Sequence, residues 1–246
     1  MSKVLQAVSA HEGPPDATNL NTDNNGLSFG MIQWSQRSGN LGKLLQKMRA
    51  ADPTTFDTIF GPKSQVLINS ILSGSLEPVD GAVLWESPWV SRFKAAGKYP
   101  PFIAVQEAMA KAGTHWQAAE QIAGILGVRT ERAMALFFDR AVQQGEGGAP
   151  SIAREVKKKY GGGRPSYQDI LKDFANTAAW RFRRLTAPEQ TKVYDKKTGK
   201  LVRQWEQVGP DWRAFAMPDH LDLFKNIQQR CQGILTDPSL GDTAVV

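Results

Sequence analysis

The chain has 246 residues, with 30 Lys and Arg against 24 Asp and Glu and a formal charge of +6. That length buries a core without staples, and the single cysteine, Cys231, excludes an intrachain disulfide framework. No apolar run approaches the ~18 residues of a membrane span, and the start Met1-Ser2-Lys3-Val4, followed by Gln6, Ser9, His11 and Glu12, lacks the apolar core of a secretory signal.

Val4, Leu5 and Val8 share one face of a short helix that ends near Glu12, where Gly13-Pro14-Pro15 stops it. A polar loop, 16–26, contains the turn Asp23-Asn24-Asn25-Gly26 and feeds an apolar segment over 27–32 that reads as a strand. Ser38 or Asn40 caps the next helix, with Leu41, Leu44, Leu45 and Met48 at helical spacing. Asp52-Pro53 opens another helix, and 66–72 reads as helix too. The stretch around Trp85, Pro88 and Trp89 is irregular. Helices are expected over about 101–112, 114–127, 129–144, 149–160 and 167–185, with Gly145–Gly148 and Gly161–Gly163 as helix-ending turns. The basic runs Lys157–Lys159 and Arg181–Arg184 fall in helical patterns and read as solvated faces. Lys192–Tyr194 and Leu201–Arg203 flank a turn as a β-hairpin, 219–235 closes the chain as a helix, and 236–246 is expected to be loose.

The chemistry-bearing pattern is at the N-terminus. Two carboxylates on opposite walls of a groove are what hydrolysis of a glycosidic bond requires. Glu12, at a helix end beside apolar residues, suits a general acid kept protonated by partial burial. Asp23, in a turn rich in hydrogen-bond donors, suits an ionised carboxylate. Ser28, five residues on, is placed to help hold a water. The implied mechanism is inverting: Glu12 protonates the leaving oxygen while Asp23 and Ser28 activate water, which calls for a carboxyl separation of ~6.5–9.5 Å. Gln33, Trp34 and Asn25 are candidates for binding sugar, Trp34 by stacking on a pyranose ring and Gln33 by hydrogen bonding to hydroxyl or acetamido groups. Zinc is not called for: His11-Glu12 lacks a second histidine at position 15, which is Pro. No metal or cofactor is expected.

The sequence of features (helix, Glu12-Gly13, polar loop, Asp23, Ser28, Gly30) resembles the lysozyme superfamily, in particular phage-type lysozymes. In more detail, Asp23-Asn24-Asn25-Gly26-Leu27-Ser28-Phe29-Gly30-Met31 is similar to the Asp-Gly-x-Gly-Tyr-Thr-x-Gly-Ile pattern of family 46 chitosanases. Ser28 stands where that family has Thr. Phe137-Phe138-Asp139, on a helix ending at Gly145, resembles that family's later aromatic-aromatic-Asp helix. The resemblance covers about residues 1–48 and 130–190. It implies a mainly α (α+β), lysozyme-like two-lobed fold, with a small N-terminal β element and a catalytic cleft between the lobes. A single domain over 1–246 is expected, with a small lobe around 13–60 and a helical lobe around 100–190 followed by the hairpin and helix of 191–235. The resemblance also implies that Asp139 belongs to a buried charge network tied to the catalytic acid, with Arg181 as its arginine.

A basic chain suits an anionic polymer better than cationic chitosan. The expectation is therefore a muramidase acting on peptidoglycan glycan strands, with chitosanase, lytic transglycosylase and a basic cell-wall-binding module as alternatives. Nucleic acid is not expected as a partner. Action on the bacterial wall, in the periplasm, requires delivery by a secretion system, an upstream domain or phage lysis, and an immunity protein would be the matching partner.

Overall fold

The computed structural model describes residues 3–22, 24–180, 183–184, 192–195, 197–208, 211–215 and 223–244. They fall into two compact units, Met1–Gln117 and Ala118–Val246. No helix among the described residues is long and apolar enough to cross a membrane.

The first unit opens with α1 (Lys3–Glu12), which buries Val4, Leu5 and Val8. Three short strands follow, β1 (Thr18–Leu20), β2 (Leu27–Phe29) and β3 (Trp34–Ser35), in an antiparallel sheet of order β1-β2-β3. The strand expected over 27–32 ends at Phe29: the chain leaves β2 at Gly30, turns through Gln33 and returns as β3. β1 lies inside the segment read as a polar loop; at three residues it is too short to show alternation.

Helices α2 (Asn40–Ala51), α3 (Pro53–Phe60), α4 (Ser64–Leu72), α5 (Trp89–Lys98) and α6 (Pro100–Ala112) complete the platform. Asp52 caps α3 by accepting from the Thr55 N–H (3.0 Å), and Pro53 takes the first position, where its missing donor costs nothing. α5 lies in the stretch expected to be irregular. It is anchored by the buried Trp89, whose Nε1 donates to the Val79 carbonyl (2.9 Å). The core of this unit is a chain of rings: Phe29 meets Phe93 (5.2 Å), Phe93 meets Phe60 (5.2 Å), Phe60 meets Phe56 (4.6 Å), and Phe56 meets Phe102 (6.0 Å). Through Phe29 the hairpin is therefore rooted in three helices, with tilted and edge-on pairs that add to simple burial.

Helix α7 (Thr114–Leu126) starts in the first unit, which holds its residues up to Gln117, and in the second unit α8 spans Glu131–Tyr160. Every residue from Ala133 to Ala141 is buried, so this half of α8 is a core helix on all sides rather than the one-faced helix its apolar spacing suggested. Of the glycines at 145–148, only Gly145 leaves helical geometry (φ 77°, ψ 167°), and it divides α8 in two. α8 ends at Tyr160 with Gly161 in the left-handed region, as expected. Helix α9 (Tyr167–Trp180) stops five residues short of the expected end; Arg183–Arg184 instead form strand β4, so the basic run 181–184 is not helical throughout. β4 joins β5 (Lys192–Tyr194), β6 (Leu201–Val208) and β7 (Asp211–Phe215) in a sheet of order β4-β7-β6-β5, in which the expected hairpin is β5–β6. Helix α10 (Leu223–Thr236) packs with α8 and α9.

The segment after α10 is not loose. The Arg132 guanidinium donates to the carbonyls of Ile234, Leu235, Asp237 and Leu240 and to Asp242, capping α10 and holding Leu240 buried. Within this unit Cys231 is buried on α10, and burial pushes its thiol up to about 11. We expect it to resist thiol reagents at pH 8 in the native protein and to react only as fast as the unit opens. Labelling as rapid as that of the unfolded chain would contradict this placement.

Candidate active site

The Glu12-Gly13 step has a local cause. Glu12 is the last residue of α1, and the Gly13 N–H still bonds the Ser9 carbonyl (2.7 Å). Gly13 then takes φ 136°, a left-handed conformation that glycine alone adopts freely, and a β-carbon there would sit 2.5 Å from that of Ala17. The side chain of Glu12 lies outside what the structure describes, as does Asp23.

The turn that carries Asp23 is fixed from both sides. The Asn21 side chain accepts from the Gly26 N–H (2.8 Å), and the Asn24 N–H donates to the Asn21 carbonyl (3.2 Å). Arg37 donates from Nε to the Asn24 carbonyl (3.1 Å) and from its backbone to that of Asn25 (3.1 Å). Asn21 and Asn24 are both left-handed (φ 64° and 59°), a geometry asparagine tolerates better than most residues. Asn25, half-buried in this turn, does not line the groove described below.

Ser28 sits at the centre of β2, 4 % exposed, opposite Asn19 on β1 and Ser35 on β3. Directly paired residues share a face, so these three form one polar row across the sheet. Ser35 lines a groove of about 900 Å³ together with Gln33, Trp34 and Ser38. The groove continues along α2 at Asn40, Lys43 and Lys47, and along α6 and the first residues of α7. Gln33 is left-handed (φ 54°); its backbone N–H (3.1 Å) and side-chain amide (2.9 Å) both donate to the Gly30 carbonyl. Trp34 borders the groove but is 7 % exposed, which leaves little ring surface for stacking.

Two buried glutamines that sequence reasoning passed over hold these pieces together. Gln106 on α6 accepts from the Met31 N–H (3.1 Å) and donates to the Pro15 carbonyl (2.9 Å). One amide thus ties the loop after Glu12 to the turn after Ser28. Gly30 makes room for it, since a β-carbon there would overlap the Gln106 amide oxygen. The signal was present in the sequence: Gln106 lies between Phe102 and Ala110 at four-residue spacing, a polar residue on a buried stripe. Gln36 accepts from the Leu27 N–H (3.1 Å) and donates to the Ser75 carbonyl (2.7 Å). We expect Gln106→Leu to strand a donor and an acceptor and cost about 2–4 kcal/mol in urea unfolding. The Met31 amide should exchange hydrogen faster than in the parent. Unchanged protection of Met31 would mean the clamp does not hold the turn.

In the second unit Asp139 is fully buried. One carboxylate oxygen accepts from Arg230 Nε (2.6 Å), and the other accepts from Nε (2.8 Å) and Nη2 of the fully buried Arg140. The partners of Asp139 come from its own helix and from α10. Arg181, expected in this role, lies outside the described residues. Two guanidiniums share one carboxylate, and Arg140 Nη1 is buried without a hydrogen-bond partner among the described residues.

No protein-family model matches the chain, and no curated protein matches it. Among solved structures it is similar to the native chitosanase of Bacillus subtilis MY002, at 17% identity over 76% of each chain with a TM-score of 0.50. A glutamate-to-alanine mutant of that enzyme, complexed with 6 GlcN, matches equally. A GH46 chitosanase of Gynuella sunshinyii, in complex with chitotetraose, is 18% identical over 95% of this chain and 86% of its own, with a TM-score of 0.52. The chain has the mainly helical, lysozyme-like fold of the GH46 chitosanases, with a small antiparallel sheet near its N-terminus.

Proposed function

We propose that this chain is an inverting glycoside hydrolase that cuts the β-1,4 bond between N-acetylmuramic acid and N-acetylglucosamine in peptidoglycan. The observation that carries a hydrolase site at this end of the chain is the Gln106 clamp. It holds the loop after Glu12 against the hairpin that carries Ser28 and follows the Asp23 turn. In this reading Glu12 protonates the leaving oxygen, and Asp23 with Ser28 activates water on the opposite face of the sugar. Gln33 and Trp34 line the groove in which the glycan lies. The formal charge of +6 favours an anionic polymer over a cationic one. In this reading the chain acts on the bacterial wall after delivery by a secretion system, an upstream domain or phage lysis, with an immunity protein protecting the wall of the producing cell.

The test is mass spectrometry of the products from purified peptidoglycan, run beside reducing-end release from chitosan. Reducing N-acetylmuramic acid ends support the proposal. Products with 1,6-anhydro ends, together with full activity of Asp23→Asn, would make it a lytic transglycosylase. Release from chitosan alone would give the second reading, a chitosanase, which is favoured by the activity named for the proteins that share its fold. Wall binding without any turnover by the unmutated protein would leave only a binding module.

A further inference from the structure

We infer that Lys43 and Lys47 are specificity residues: they form a cationic wall of the groove that reads a carboxylate on the glycan, the lactyl group or the stem peptide of N-acetylmuramic acid. This rests on the muramidase reading above. The two lysines are one turn apart on α2, so both project from the same face of the helix, and both are exposed. Lys43 Nζ donates to Asn40 Oδ1 (3.2 Å), a neutral acceptor that orients the ammonium without neutralising it. Lys47 forms no ion pair or hydrogen bond among the described residues. No aspartate or glutamate stands among the described residues that line the groove.

The other side of the groove supplies matching chemistry. Gly113, Thr114 and His115 bring the N-terminus of α7 to it, the end of a helix that favours negative charge. His115 lines this same end of the groove. Between these walls, α6 contributes Val105, Ala108 and Met109, apolar contacts suited to the CH face of a sugar ring. The volume, about 900 Å³, falls among sites for small organic ligands. A uniformly cationic glucosamine chain would meet repulsion here, and a neutral N-acetylglucosamine chain would gain nothing from the ammonium groups. A carboxylate-bearing chain gains from both.

The test uses the full chain carrying Glu12→Gln, so that oligosaccharides bind without being cut. Calorimetric titration compares a tetrasaccharide of alternating N-acetylglucosamine and N-acetylmuramic acid with uncharged tetra-N-acetylchitotetraose. Exposed charge pairs of this kind are worth a few-fold each, so the anionic ligand should bind about tenfold more tightly. Adding Lys43→Gln and Lys47→Gln should abolish that preference and flatten its salt dependence, and Lys43→Arg with Lys47→Arg should restore it. A preference that survives the double glutamine variant, in protein shown folded by circular dichroism, overturns the inference while leaving the muramidase reading intact. Failure of the unmutated protein to release any muropeptide overturns that reading, and the inference with it.

Discussion

Glu12→Gln should lower turnover of cell-wall substrate by about 10³-fold or more, the range a positioned general acid supplies. It should do so with almost no change in thermal midpoint. The amide keeps the shape of the carboxyl but has no proton to give the leaving oxygen. The bond that closes α1, from the Gly13 N–H to the Ser9 carbonyl, is made by backbone atoms and does not depend on the side chain at position 12. Asp23→Asn should be comparably severe. Ser28→Ala should be milder, because a hydroxyl that orients water is one contributor among several. Retention of more than about a tenth of parental activity by Glu12→Gln would remove the acid from this position. A large drop in stability would point to a structural role instead.

The largest effect on stability is expected at Asp139. Asp139→Ala removes the carboxylate shared by Arg140 and Arg230 and leaves the fully buried Arg140 guanidinium without an acidic partner among the described residues. Breaking a buried pair in this way costs about 3–5 kcal/mol. The same physics predicts an inversion. Replacing the whole set by apolar residues, Asp139→Leu with Arg140→Met and Arg230→Met, should be less damaging than the single change, since no charge is then left buried. Urea unfolding of the two variants decides the matter. If Asp139→Ala proves the more stable of the two, the cluster is held by something other than charge compensation.

What the sequence made legible follows the physics of each signal. The stripes Leu41-Leu44-Leu45-Met48 and Ala118-Ile122 announced α2 and α7 because a repeating apolar face is local information. Glu12-Gly13 and the Asn-rich turn were readable because glycine and asparagine mark left-handed backbone. The two-residue strand Trp34–Ser35 was not, since it exists through pairing with β2 and carries no alternation of its own. The ordered segment after α10 was missed for the same reason: it is held by Arg132, more than a hundred residues away. For Asp139 a buried network was implied only by the family resemblance; its described partners sit on α8 and α10, and only packing shows that Arg230 reaches it.

The Arg132 pin has a kinetic consequence. Its acceptors lie 102 to 110 positions along the chain, so the loop it closes is nearly as long as the second unit itself. Contacts of that range repay their closure entropy only after most of the intervening structure exists. The unit should therefore gain its last protection late in refolding, with the amides of Leu240 and Gly241 among the slowest to become shielded after dilution from denaturant, well behind those of α7.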